Sequence, residues 1–396
     1  IAELKALNAD VIGLMELQNN AEAIANLVAG LNEQMGAGTY ATVADPSTGV
    51  GTDAIKLGLI YKPAVLSLVG TAISDIDPSH KRPSLAQTFA AANGETFNVV
   101  VNHFKSKGCS GAAGADLDQG DGQGCFNAAR VIEAQALRSF VSDLQTRSGT
   151  ARAVLLGDFN AYGMEDPVYE FTSNGYVDLA KRFNAFDYSY VFDGEAGSLD
   201  HAIATPEANA VVTGAQVWHV NADEPSIIDY NLEFKQPACA TCGPDYYSAT
   251  PYRSSDHDPV VIGLSLLKAI NGSTGRDTIS GTAGDDVITG GEQSDTLTGG
   301  AGRDVFVYQS IRDGLDTITD FTPGTDRLDL NALLASIGAN PATALSQGYV
   351  RLVSTNAGTQ VQVDADGSAG STLPRALVLL KGVALNQIVP GRDLGL

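Results

Sequence analysis

The chain has 396 residues, 44% of them apolar, with four cysteines, which leaves room for two or three domains with ample cores. It contains no run of roughly eighteen or more apolar residues, which excludes a membrane-spanning helix. The net charge is −22, with 16 basic against 32 acidic residues up to Lys268 and 8 against 14 beyond it, and this excludes a basic surface that would bind nucleic acid passively.

The opening stretch, IAELKALNADVIGL, lacks the basic start and the small-residue cleavage site of a signal peptide. Its spacing predicts an amphipathic helix on Ile1, Leu4 and Leu7, running into a buried strand over 11–14. The chain is therefore expected to begin inside a domain, and a secretion signal upstream of Ile1 would lie outside what it shows. Strand-like runs at 97–101, 154–156 and 260–264 alternate with helical patterns. The clearest helix is NAARVIEAQALRSFVSDLQ, with Val131, Ala134, Leu137, Val141 and Leu144 at helical spacing.

The cysteines fall in two local pairs. Cys109 and Cys125 bracket a Gly/Asp-rich loop, and Cys239 and Cys242 form a tight CATC. Two disulfides in an oxidising exterior are expected, rather than a zinc site or a redox CxxC, because no thioredoxin-like βαβ pattern surrounds Cys239. In the first loop Asp116, Asp118 and Asp121 do not fit an EF-hand and read as a solvated acidic loop.

Composition changes abruptly near Lys268. A nine-residue unit then repeats four times, starting at Gly272, Gly281, Gly290 and Gly299. Its sixth position is Asp277, Asp286, Asp295 and Asp304, and its eighth is Ile279, Ile288, Leu297 and Phe306. Glycines permit tight turns, the apolar residues can stack inside a parallel β-roll, and the aspartates can coordinate Ca²⁺ between turns. A flexible linker would not keep this register. The unit resembles the RTX calcium-binding repeats. Gln293 stands where a fourth-position glycine is expected, so calcium binding at that turn is expected to be weakened. The segment beyond, including DTITDFTPGTDRLDL, resembles the region that follows such repeats in type I-secreted bacterial proteins and carries their uncleaved export signal. The predicted division is 1–268 for a catalytic domain, 269–309 for the repeats and 310–396 for a β-rich C-terminal region.

Five motifs in the first domain place polar residues at the ends of apolar strands: VIGLMELQNN (Glu16), VVVNHFKSKG (His103), AVLLGDFNA (Asp158, Asn160), SLDHAIA (Asp200) and SSDHDPVVIG (Asp256, His257). Each alone has a mundane reading as a turn cap, a core histidine or half of an ion pair. Together they suit metal-assisted hydrolysis. A hard Mg²⁺ or Mn²⁺ ion takes carboxylate and amide oxygens, which Glu16, Asp158, Asn160 and Asp256 could supply. Water attack needs a base, for which histidine with a carboxylate partner is the usual device. No nucleophile elbow and no HExxH zinc motif appears.

The order Glu, His, GDFN, Asp, SDH over residues 1–266 resembles the endonuclease/exonuclease/phosphatase, or DNase I-like, superfamily. The phrases NHFKSKG, DQGDGQGC, VWHVNADEPS and DYNLEFK are similar to its bacterial extracellular endonuclease branch. The resemblance implies an α/β four-layer sandwich followed by the RTX β-roll. It implies Glu16 and Asp256 as metal residues and His103 at the leaving group or phosphate. Asp158 and Asn160 would position the nucleophile and the transition-state oxygens. His257 would be the base, oriented by Asp200, with Asp158 as the alternative base. Arg82, in KRPSLAQTF, would lie near the phosphate, Lys105 could steer substrate, and His201 is expected on the far face of its strand.

Family members begin with a strand ending in a functional asparagine. No counterpart precedes Ile1, so the chain as written is expected to be impaired in activity and stability. The expected function is a secreted, Mg²⁺- or Mn²⁺-dependent nuclease on extracellular DNA or RNA, exported by type I machinery without an obligate protein partner. Alternatives are a sphingomyelinase-like or inositol-phosphate hydrolase, and a calcium-dependent adhesin with a vestigial catalytic domain.

Overall fold

The computed structural model describes residues 1–225 and 248–396, which divide into two compact units: residues 1–90 with 96–265, and residues 91–95 with 266–396. Cys239 and Cys242 lie outside the described residues.

The first unit opens with α1 (Ala2–Leu7) and β1 (Val11–Gln18), followed by α2 (Ala23–Met35), β2 (Ala41–Thr42), β3 (Ile55–Tyr61), β4 (Ser67–Ser74), β5 (Leu85–Ala90) and β6 (Thr96–His103). Next come α3 (Asn127–Ser148), β7 (Ala153–Asp158), α4 (Asp166–Thr172), β8 (Val177–Asp178) and α5 (Leu179–Phe183). The hairpin β9 (Tyr190–Phe192) and β10 (Glu195–Gly197) leads to β11 (Asp200–Ala204), α6 (Pro206–Asn209), β12 (Val212–Val217) and β13 (Val260–Leu264).

The strands form a six-stranded sheet, ordered β4-β5-β6-β7-β11-β8, a three-stranded sheet β1-β3-β2 and the pair β12-β13. The strand expected to be buried over 11–14 is only partly so: Ile12 alone is buried. The reason is pairing, since among the described strands β1 bonds to β3 along one edge only. Gly13 sits where β1 crosses the larger sheet; a Cβ there would lie 2.8 Å from Cγ2 of Val101 in β6.

Helix α3 covers the other face of the six-stranded sheet. Ala134, Leu137, Val141 and Leu144 pack with Val100 and Leu155, and with Phe104, Phe159 and Phe171. Val131, expected in this stripe, is only half-buried, and Arg130 and Glu133 are buried in its place. The cause is the loop after β6. The Arg130 guanidinium donates to the carbonyls of Lys105, Gln123 and Cys125, and a Glu133 carboxylate oxygen accepts the Lys105 N–H at 2.8 Å. Backbone groups thus partner both Arg130 Nη atoms and the Glu133 carboxylate, while Arg130 Nε has no hydrogen-bond partner among the described residues.

In the second unit the apolar eighth positions of the repeats, Ile279, Ile288, Leu297 and Phe306, are buried in one core. Strands β14 (Lys268–Asn271), β15 (Thr278–Ser280), β16 (Asp286–Thr289), β17 (Thr296–Thr298) and β18 (Val305–Val307) pair in parallel, Lys268 with Asp286 and Thr278 with Thr296. Pairing therefore skips one repeat each time, and successive repeats feed alternate sheets. Strands β19 (Asp316–Ile318) and β20 (Arg327–Asp329) extend both sheets past residue 309. Strands β21 (Val350–Thr355), β22 (Gly358–Val363) and β23 (Arg375–Lys381) complete one of them.

Candidate active site

Strands β6, β7 and β11 are neighbours, and their register sets His103 opposite Asp158 and Asp158 opposite Asp200. Three motifs far apart in sequence thereby become one row at the sheet's edge. The close approach of β6 and β7 depends on Gly157, whose φ is +142° and where a Cβ would lie 1.9 Å from the Asn102 carbonyl oxygen. This accounts for the glycine of GDFN.

Asn160 turns the chain back with a φ of +46°, a left-handed conformation that asparagine tolerates. Its N–H donates to Asp158 Oδ1 at 2.7 Å, and its Nδ2 donates to Asp158 Oδ2 at 2.9 Å and to the Phe104 carbonyl at 3.1 Å. Glu16 also has a positive φ, +58°, and lies at an irregularity between Leu14 and Leu17 where β1 departs from its ladder with β3. Its exposed carboxylate comes 4.0 Å from His103 Nε2, which is 3.4 Å from Asp158 Oδ2.

His257 closes the site. Its Nδ1 donates to Asp200 Oδ2 at 2.6 Å, and its ring stacks on Tyr190 with centroids 4.6 Å apart. Ser189 holds Asp200 from behind, its hydroxyl donating to Oδ2 at 2.8 Å and accepting the Asp200 N–H. Glu16, His103, Asp158, Asp200, Asp256 and His257 line one cleft of about 490 Å³.

The charges in this cleft are strongly interdependent. Burial, reinforced by the negative charges of Asp200 and Glu16, pushes the Asp158 carboxyl up to about 7 against the pull of His257. Burial disfavours the His257 cation, but Asp200, Asp158 and Asp256 outweigh it and raise the imidazole to about 10. Burial, with the positive charges of Arg82 and His257, lowers His103 to about 3. At neutral pH His257 is therefore charged, His103 neutral and Asp158 near its midpoint.

Two sequence candidates stand apart from the row. Arg82 donates from Nε to the His103 carbonyl at 3.2 Å and from Nη2 to the Phe104 carbonyl at 2.6 Å, so its guanidinium braces the strand end. Lys105 carries its ammonium over the Phe126 ring, 4.1 Å from the centroid. Among the described residues no three His, Cys, Asp or Glu side chains converge as a ready-made ligand set. The donors that do face the cleft, Glu16, Asp158 and Asp256, fit an ion held by one or two carboxylates and otherwise by water and substrate oxygens, as Mg²⁺ prefers.

Sequence reasoning missed Asp258. It is buried, its Oδ1 accepts the N–H groups of Val220, Asn221 and Ala222, and its Oδ2 lies 3.0 Å from His219 Nδ1. Asn221 in turn donates to the His257 carbonyl at 2.8 Å. The partners are more than thirty positions away, and nothing local in SDHDP announces them. Cys109 and Cys125 form a disulfide with Cα atoms 5.1 Å apart, fastening the loop that follows His103.

In the repeats, the Asp277 N–H donates to Asp295 Oδ1 and the Asp286 N–H to Asp304 Oδ1. The same relation continues beyond them, from Asp295 to Asp316 and from Asp304 to Asp326. Buried carboxylate oxygens of Asp286, Asp295, Asp304 and Asp316 lack hydrogen-bond partners, and such oxygens suit a cation. Burial first, then neighbouring aspartates, raises Asp304 to about 7 and Asp316 to about 6. Gln293 takes the turn with a φ of +77°, its Nε2 donating to the Thr274 carbonyl.

The profile of the Endonuclease/Exonuclease/phosphatase family matches residues 1–257, and that of the RTX calcium-binding nonapeptide repeat (4 copies) matches residues 271–306. A search of curated proteins finds no match. Among solved structures, the chain is similar to a mannosyl-6-phosphatase of Bacteroides thetaiotaomicron, at 16% identity over 66% of this chain and 87% of that one, with a TM-score of 0.43. It is also similar to the human Nocturnin catalytic domain with bound sulfate, at 18% identity over 54% and 73%, TM-score 0.37. A third is D. rerio TDP2 complexed with single strand DNA product, at 13% identity over 54% and 79%, TM-score 0.36.

Proposed function

This chain belongs to the Endonuclease/Exonuclease/phosphatase family, and from that premise we propose that it is a secreted phosphodiesterase that hydrolyses extracellular DNA with the help of Mg²⁺ or Mn²⁺. The observation that carries the reading is the row His103, Asp158, Asp200, closed by the 2.6 Å bond from His257 and faced by Glu16.

Glu16 and Asp256 would hold the metal ion, with Asp158 and Asn160 beside it. A bound divalent ion there would neutralise phosphate charge and favour hydroxide over water. The chain's own groups do the rest. Asp158, raised towards 7, is the group poised to take the proton of the attacking water. His257, kept charged by Asp200, donates to a phosphoryl oxygen and stabilises developing negative charge. This arrangement favours the alternative base named from the sequence, with the His257–Asp200 pair as the electrophilic partner. His103, neutral and held by its strand, can give a hydrogen bond to the phosphate or leaving group. Arg82 acts from behind by fixing the His103 and Phe104 carbonyls.

The repeats are typical of exported proteins, and among the described residues no helix is long and apolar enough to cross a membrane. The repeats favour an extracellular site of action and export by type I machinery. The parallel pairing of alternate repeats supports reading the second unit as a β-roll. A charge of −22 leaves DNA affinity to metal ions and local cations such as Lys105.

Supercoiled plasmid incubated with the protein and Mg²⁺ or Mn²⁺ should be nicked. Chelator should abolish nicking, and His257→Ala should slow it by about a hundredfold or more. Folded protein that leaves plasmid intact under all metal conditions, both as written and with a strand added before Ile1, would sink the nuclease reading.

A further inference from the structure

We propose that His201 is a positioning residue for this site: a buried, doubly protonated imidazolium that ties the turn after Asn160 to strand β11. Its consequence for catalysis rests on the hydrolytic reading above, whereas its charge rests on geometry alone.

His201 follows Asp200 on β11 and points to the opposite face, where it is 1% exposed. Its Nδ1 lies 2.9 Å from Asp178 Oδ2, and its Nε2 lies 2.9 Å from the carbonyl oxygen of Ala161. A peptide carbonyl can only accept, and so can a carboxylate. A neutral imidazole has one N–H and would set a nitrogen lone pair against one of these oxygens. Two N–H donors, and hence a positive charge, satisfy both contacts. Asp178 is the natural counter-ion, since it caps the N-terminus of α5 and accepts the Lys181 N–H, a position that favours an anion. Burial opposes charge on both groups. Their mutual bond outweighs it, raising His201 above and holding Asp178 below the ordinary values.

The tether has a mechanical consequence. Ala161 adjoins Asn160, whose side chain holds both Asp158 and the Phe104 carbonyl. The other end of the tether is the residue next to Asp200 in β11. One side chain therefore links the two halves of the catalytic row from beneath. Phe159 walls it in, its ring at 90° to the imidazole with centroids 5.5 Å apart.

Two substitutions separate the contacts. His201→Gln can keep a donor at the reach of Nε2, towards Ala161, whereas His201→Asn can keep one only near Asp178. Both remove the charge, and both should lower stability. The Asn variant should lose about tenfold to a hundredfold in kcat on plasmid with KM little changed, and the Gln variant clearly less. Amide exchange at 161–163 should accelerate in the Asn variant and stay near wild type in the Gln variant. Nitrogen-15 spectra of the wild-type chain should show both ring nitrogens of His201 protonated at about pH 8, where a free histidine is neutral.

A singly protonated His201 at that pH would overturn the charge assignment. Equal losses of kcat and equal amide exchange in the two variants would overturn the positioning role. A wild type that cleaves no phosphodiester would defeat the hydrolytic reading instead, and the spectra and amide exchange would still decide the tether.

Discussion

Protonation states in the cleft make two predictions about pH. With Asp158 near 7 as the base and His257 near 10 as the charged partner, the rate should rise through about pH 7 and fall through about pH 10. Asp158→Asn should remove the rising limb, and His257→Gln the falling one; a rising limb that survives Asp158→Asn would return the base role to His257. The second prediction concerns stability. His257 has a folded value above its unfolded one, so the stabilisation from its pair with Asp200 is fully present below about pH 6.5 and disappears as pH rises through about 10. Denaturant unfolding of the wild type should weaken across that window, and His257→Gln should flatten the curve. The individual residues were legible in the sequence because each sits in a short motif beside an apolar run. Arg82 was also noticed, but its partners are carbonyls of another segment, which no local pattern reveals.

Among elements, the loop between β6 and α3 ties the site to the scaffold. Arg130 and Glu133 hold its backbone, and the Cys109–Cys125 bond closes it. Replacing both cysteines by serine should cost about 3 kcal/mol on the chain-entropy estimate for a loop of this size. The loss should appear in denaturant midpoints, accompanied by a lower rate, because the loop begins immediately after His103. An unchanged midpoint would mean that Arg130 and Glu133 fix the loop without the disulfide. Helix α3 itself was evident from its apolar spacing, but the replacement of Val131 by two charged residues in the buried stripe was not. Periodicity registers hydrophobicity, and it cannot register carbonyls waiting to accept from an arginine.

For the whole molecule, the repeats predict a calcium-dependent second unit. Ca²⁺ bound only by the folded form should stabilise it by about 2.7 kcal/mol at a hundred times the dissociation constant. The carboxyls of Asp304 and Asp316, raised to about 7 and about 6 by burial, must lose their protons to bind. The stabilisation should therefore shrink as pH falls from 7 to 5. Calorimetry with and without Ca²⁺ at the two pH values tests this, and a melting profile indifferent to Ca²⁺ would remove the calcium assignment. The aspartate relation running on to Asp316 and Asp326 escaped the sequence reading because the paired aspartates there are 21 and 22 residues apart instead of 18, although the sheets continue.

By itself, the order of residues determined the family, the repeats, the strand-end motifs and the disulfide at Cys109 and Cys125. These are local patterns, written in spacings of two, of three to four, or of nine residues. Tertiary structure alone decided that His103, Asp158 and Asp200 share one row, that His257 bonds to Asp200, that Asp258 accepts the N–H groups of Val220, Asn221 and Ala222, and that His201 lies between Asp178 and the Ala161 carbonyl. Those outcomes depend on strand register and on burial, which sum contributions from residues far apart in the chain.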